Sequence, residues 1–185
     1  MSPLTTGVAF LPMTLTVAAL SLGPVARMVG RFGPRPVLIG GISTLIVGLT
    51  LFATAPSDVP YAPLLLAAFV VMGLGGGSTF VPVLTIAMSG VPPRDAGIAS
   101  GIMNVSMQLG AALGLALLGA LAEHRTAARL ADGASHAAAQ MSGYHLAFAL
   151  GAATAVVGLV LTLLVLRSPA PQAEQVRGEA EPQPA

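Results

Sequence analysis

Asn104 and Gln108 stand four residues apart in the apolar stretch VPPRDAGIASGIMNVSMQLGAALGLALLGA. Successive residues of a helix turn by about 100°, so both amides leave the same side from adjacent turns. Gly97, Ser100, Gly101 and Ala111 fall on that side too. An amide donates and accepts hydrogen bonds but is neither an acid, a base nor a nucleophile at neutral pH. Its chemistry is binding. In lipid an uncompensated amide is costly, so this face must look into protein or into a water-filled cavity. Two readings are open. In one, the amides hydrogen-bond to neighbouring helices and the glycines permit close approach. In the other, Ser100, Asn104 and Gln108 line a pathway for a small molecule.

The remaining polar residues support little else. His124, His136 and His145 lie in or beside one loop without the close helical spacing of a metal pair, and solvated loop histidines are the simpler reading. Asp95 and Glu123 sit at the two ends of the same apolar stretch, so no acid falls mid-span. There is no paired-carboxylate or Ser/His/Asp arrangement, and an enzyme is not expected; activity dependent on the histidines would be its remaining form. With no cysteine, thiolate chemistry and cysteine-bound metals are excluded, and no cofactor is expected.

These side chains need elements to hold them. Hydrophobic residues make up 55% of the 185 and charged ones 8%, against about 25% charged in an ordinary soluble domain. So few charges cannot clothe a water-soluble globule, and the bilayer is the expected surrounding. The net charge of +1, with no basic patch interleaved with aromatics, gives no reason to expect a nucleic-acid partner. A helix needs about 20 mostly apolar residues to cross the hydrocarbon. The uncharged segments predict an all-α, polytopic bundle over 1–167, with five helices near 4–26, 36–55, 62–88, 97–122 and 145–166. The opening has no charged n-region and is not expected to be a cleaved signal peptide. Residues 168–185, rich in Pro, Gln, Ala and Glu, are expected to form a disordered tail.

The loops predict orientation. Arg27, Arg31 and Arg35 crowd the turn RMVGRFGPRP after the first helix, where Gly30, Gly33 and Pro34 are expected to break the chain. Asp58 comes after the second helix, Arg94 and Asp95 after the third, Arg125 and Arg129 after the fourth, and Arg167 after the fifth. Alternation places Arg27, Arg31, Arg35, Arg94 and Arg167 on one side against Arg125 and Arg129 on the other. The positive-inside bias makes the first group cytoplasmic, with the N-terminus outside and the C-terminus inside a cell membrane. The sequence EHRTAARLAD is expected to extend the fourth helix into water as far as Gly133.

The third helix carries MGLGGGSTFVP. Gly73 and Gly77 are four apart, as close packing requires, and Pro82 is expected to bend the helix. Such a segment either packs tightly or serves as a flexing point. Gly97 with Gly101 and Gly110 with Gly114 are candidate packing pairs on the fourth helix.

VGRFGPRPVL resembles the loop motif of the major facilitator superfamily, roughly Gly-x-x-x-Asp-Arg-x-Gly-Arg-Arg. Arg31, Gly33 and Arg35 match its Arg, Gly and final basic positions, while Gly30 replaces the acid and Pro34 the second arginine. The string AGIASGIMNVSMQLGAALGLA resembles the penultimate helix of the fourteen-helix drug:proton antiporter branch. Gly97, Ala99, Ser100, Gly101, Asn104, Gln108, Gly110 and Gly114 occupy that branch's pattern without a gap. SPLTTGVAFLP and GYHLAFALGA are similar to it as well, so the likeness covers roughly residues 2–166. The resemblance implies the last five of fourteen helices, the partial C-terminal half of a proton-coupled exporter of drugs or small organic molecules. It implies that the coupling acid and the remaining N-terminal helices lie outside this chain. It also implies that the loop latches neighbouring helices, incompletely here because the acid is missing. The alternative is a small structural membrane protein that associates through its glycine pairs with a separate transporter half.

Overall fold

The computed structural model describes residues 3–55 and 64–166. Asp58, Arg167 and the tail expected over 168–185 lie outside the described residues. The elements run α1 Pro3–Ser21, α2 Pro24–Phe32, α3 Pro34–Ala53, α4 Leu64–Met88, a 3₁₀ turn Pro93–Asp95, α5 Ala96–Ala131 and α6 His136–Val165. No strand occurs among the described residues. Four of these helices are long and apolar enough to cross a membrane, or five if the bent pair formed by α1 and α2 is one span. The protein is a polytopic helical bundle.

The first span departs from the expected single helix over 4–26. It breaks at Leu22 and Gly23, and a nine-residue helix restarts at Pro24, bent by 48° from its predecessor. Gly23 at φ 130° takes a backbone shape that a side chain would oppose, and Pro24, lacking an N–H, suits a first helical turn. Arg27, Gly30 and Arg31 therefore lie within a helix, and the chain turns at Gly33, φ 85°, directly before Pro34 starts α3. Gly30 does not break the chain because it keeps a helical backbone.

The segment 123–144 is almost entirely helical, its first part the expected extension of the fourth helix towards Gly133. α5 runs on to Ala131 and closes through Gly133 at φ 84°, with Gly133 N–H donating to Leu130 O and Ala134 N–H to Arg129 O. This paired pattern is a Schellman closure. Three residues later α6 has begun at His136, not near 145, because the Ser135 hydroxyl accepts from Ala138 N–H and caps it.

Packing strings the helices in the spatial order α1, α4, α3, α6, α5, with α2 tucked against α1, α3 and α4. Glycine makes the closest contacts possible. A Cβ on Gly75 would lie 2.5 Å from Leu45 N, and one on Gly48 would lie 2.7 Å from Met72 Cγ, so α3 and α4 touch through backbone. On the other side of α4, a Cβ on Gly73 would meet Met13 O at 2.8 Å and one on Gly77 would meet Leu20 Cδ1 at 3.0 Å. Pro82 sits fully buried inside an unbroken α4. Phe52 stacks with Phe148 and meets Phe69 edge-on, each pair 5.0 Å between centroids, joining α3, α4 and α6 at one end.

The α3–α6 pair is fastened at both ends by residues of opposite helices. Arg35, near the start of α3, donates to Leu163 O at 3.2 Å in the last turn of α6. His145, in α6, makes a 2.9 Å bond to Ala55 O just beyond the end of α3. Carbonyl oxygens only accept, so Nε2 carries the proton in that bond. Terminal carbonyls of a helix lack internal partners and carry partial negative charge, which makes Leu163 O a natural target of Arg35.

Candidate functional site

α5 is the edge of the bundle. It packs on α6, touches α4 slightly, and has no buried residue in its span. Its first half divides into three faces. Ala99 and Met103 are half-buried and mark the packed side. Ile98, Ile102, Val105 and Leu109 come next round the helix and are 58–69% exposed, a stripe suited to lipid tails. Between these two sides lie Gly97, Gly101, Asn104 and Gln108, all exposed.

The amides therefore reach no partner within the bundle. Among the described residues neither Asn104 nor Gln108 makes a hydrogen bond, whereas Ser100 Oγ donates to Gly97 O at 2.9 Å within its own helix. A side chain in that local bond still keeps acceptor capacity for a visitor. Nothing lies within 4 Å of where a Cβ would stand on Gly97, Gly101, Gly110 or Gly114. These four glycines make no helix contact here, while Gly73 and Gly77 do. The face thus presents two amides, a hydroxyl and bare backbone in one strip.

The arginine segment is assembled differently from a loop. Arg27 and Arg31 are exposed on α2, the Arg31 guanidinium carbon lying 5.5 Å from the Phe32 ring centroid. Gly33 supplies the reversal between α2 and α3, and Arg35 reaches across to α6. The three residues matched to the family loop therefore hold different positions: Arg31 faces out, Gly33 turns the chain, and Arg35 fastens α6.

The histidines are not gathered. His124 lies on α5, His136 starts α6, and half-buried His145 bonds to Ala55 O, so the solvated-loop reading fails for His145. No group of three or more His, Cys, Asp or Glu able to hold a metal occurs among the described residues. Sequence reasoning missed both α3–α6 fastenings, because each joins residues about a hundred positions apart.

A bundle of apolar spans with an exposed polar strip defines a polytopic membrane protein. The sequence model of the Major Facilitator Superfamily matches residues 1–185, and the chain belongs to that superfamily of transporters. It is 37% identical over 166 residues to the puromycin resistance protein pur8 of Streptomyces alboniger, covering 89% of this chain and 33% of that protein. It is 34% identical over 120 residues to the multidrug resistance protein Stp of Mycobacterium tuberculosis, covering 65% of this chain and 22% of that one. It is 32% identical over 130 residues to the cephamycin export protein CmcT of Amycolatopsis lactamdurans, covering 70% and 27%. The chain spans a third or less of the length of these relatives.

Proposed function

We propose that this chain forms the C-terminal portion of a proton-coupled exporter of drugs or small organic molecules. In this reading α5 lines the substrate pathway with Ser100, Asn104 and Gln108. The observation that carries it is the strip of exposed amides on α5, separate from both the packed side and the apolar stripe. Amides beside small residues suit neutral or weakly polar organic solutes. The names of relatives, a puromycin resistance protein and a cephamycin export protein among them, favour export as the direction.

The remaining helices of such a carrier would face this strip across a cavity near the membrane midplane, where alternating access exposes it to each side in turn. The coupling acid belongs to those helices, since Asp95 and Asp132 flank α5 and Glu123 lies in its last third, beyond the apolar stretch that carries Asn104 and Gln108. Orientation follows the arginine bias, with Arg27, Arg31, Arg35 and Arg94 cytoplasmic and the α5–α6 connection outside.

Efflux of a dye and antibiotic panel from cells expressing this chain joined to the rest of its transporter tests the reading. Asn104→Ala with Gln108→Ala should cut efflux at least several-fold while leaving membrane expression unchanged, because neither amide touches the bundle. Undiminished efflux, together with co-purification of a separate intact transporter, would favour the alternative of a structural partner protein.

A further inference from the structure

α2 has a surface that transport does not explain. α1 is nineteen residues long and rises about 28 Å, nearly the full thickness of the hydrocarbon core. α1 and α2 together are long and apolar enough for one span, so the segment past the 48° bend is the end of that span. α2 adds nine residues there. Its Val25 is 1% exposed and anchors the inner face against the bundle, with half-buried Val29 on the same side. Roughly opposite, at about 100° per residue, stand Arg27 and Arg31. Three large apolar residues nearby are turned to the surroundings: Met28 next to the arginine face is 43% exposed, Phe32 adjoining Arg31 at the end of α2 is 60% exposed, and Leu22 in the break before α2 is 86% exposed.

Cations flanked by exposed apolar side chains at the mouth of a span match the layered chemistry of a bilayer surface, acyl chains below and phosphates above. Neither Arg27 nor Arg31 has a carboxylate partner among the described residues, where the ion pair present is Arg94 with Asp95. A guanidinium fork binds a phosphate through two parallel hydrogen bonds, which a phosphodiester headgroup offers.

We propose that α2 is an interfacial helix that holds anionic phospholipid, with Arg27 and Arg31 on the headgroup phosphate and Leu22, Met28 and Phe32 among the upper acyl carbons. Net negative headgroups are favoured over zwitterionic ones because two uncompensated cations stand one turn apart. The bound lipid fixes the depth at which the span ends and so the height of the Gly33 reversal and of Arg35 above it.

The test uses the 185-residue chain in vesicles of phosphatidylcholine and phosphatidylglycerol, roughly three to one, with a trace of photoactivatable phosphatidylglycerol. Mass spectrometry then locates the label. Labelling should concentrate on residues 22–32 and fall steeply in Arg27→Gln with Arg31→Gln, about fivefold for each charge removed. Arg27→Lys with Arg31→Lys should retain most of it, which separates lost charge from lost fold. Photoactivatable phosphatidylcholine should label the same segment far less, and high salt should weaken only the anionic probe. Equal labelling by both lipids would overturn the proposal, as would a double Gln variant that labels normally. None of these outcomes depends on transport, so the lipid site and the exporter reading stand or fall separately.

Discussion

Two polar contacts define the residue scale. Arg35 reaches Leu163 O in the last turn of α6 and His145 reaches Ala55 O just beyond the end of α3, one contact at either end of the α3–α6 pair. Such a bond contributes about 1 kcal/mol net, and hydrogen bonds from charged donors contribute somewhat more. Arg35→Ala and His145→Ala should therefore each lower stability by about 1 kcal/mol in reversible unfolding in mixed micelles. The two sites are separated by most of the length of α3, so the losses in the double variant should add. A double variant no worse than either single one would mean that the clamps are not independent. Neither residue announced this role in the sequence: Arg35 read as a loop cation, and His145 as a solvated histidine. Both roles depend on a partner carbonyl brought near by the fold, and a backbone atom leaves no mark in a sequence.

At the scale of elements, periodicity identified the apolar spans well and their ends poorly. α3 runs from Pro34 to Ala53 between a glycine reversal at Gly33 and a cap at Thr54, and α4 closes at Met88. The break at Gly23–Pro24 was signalled by a Gly-Pro pair, a strong turn marker, yet the unbroken apolar run around it obscured the signal. The early start of α6 was also written locally, in a serine placed to cap. Glycine is the sharper lesson. Gly75 and Gly101 look alike in a hydrophobic string, but one faces Leu45 backbone and the other open space. Gly75→Ala must push α3 and α4 apart and should cost about 1–3 kcal/mol in the same unfolding assay. Gly101→Ala should be neutral there, or slightly stabilising, since alanine is the better helix former. If Gly101→Ala nevertheless abolishes efflux by the completed transporter, a helix from outside this chain rests on that glycine. Equal stability of both variants would contradict the packed geometry between α3 and α4.

For the whole molecule, the edge position of α5 matters most. The chain belongs to the superfamily and spans a third or less of the length of its relatives. α5 has three sides: one on α6, one suited to lipid, one polar and open. Composition and the helix pattern made the bundle and the polar strip legible from residues alone. That the strip stands free of α6 was not legible, because amphipathic spacing tells which residues share a face and not what the face meets.

The chain contains no cysteine, which makes single-cysteine labelling of this face direct. Asn104→Cys and Gln108→Cys, with Val105→Cys and Leu109→Cys as lipid-side controls, would be placed in a cysteine-free completed transporter. Each would be treated with a membrane-impermeant thiol reagent with and without transported drug. Modification should be fast at positions 104 and 108 and slowed there by the drug, with little reaction at 105 and 109. Reaction at 105 and 109 as fast as at 104 and 108, or rates at 104 and 108 that the drug leaves unchanged, would contradict a substrate pathway along α5.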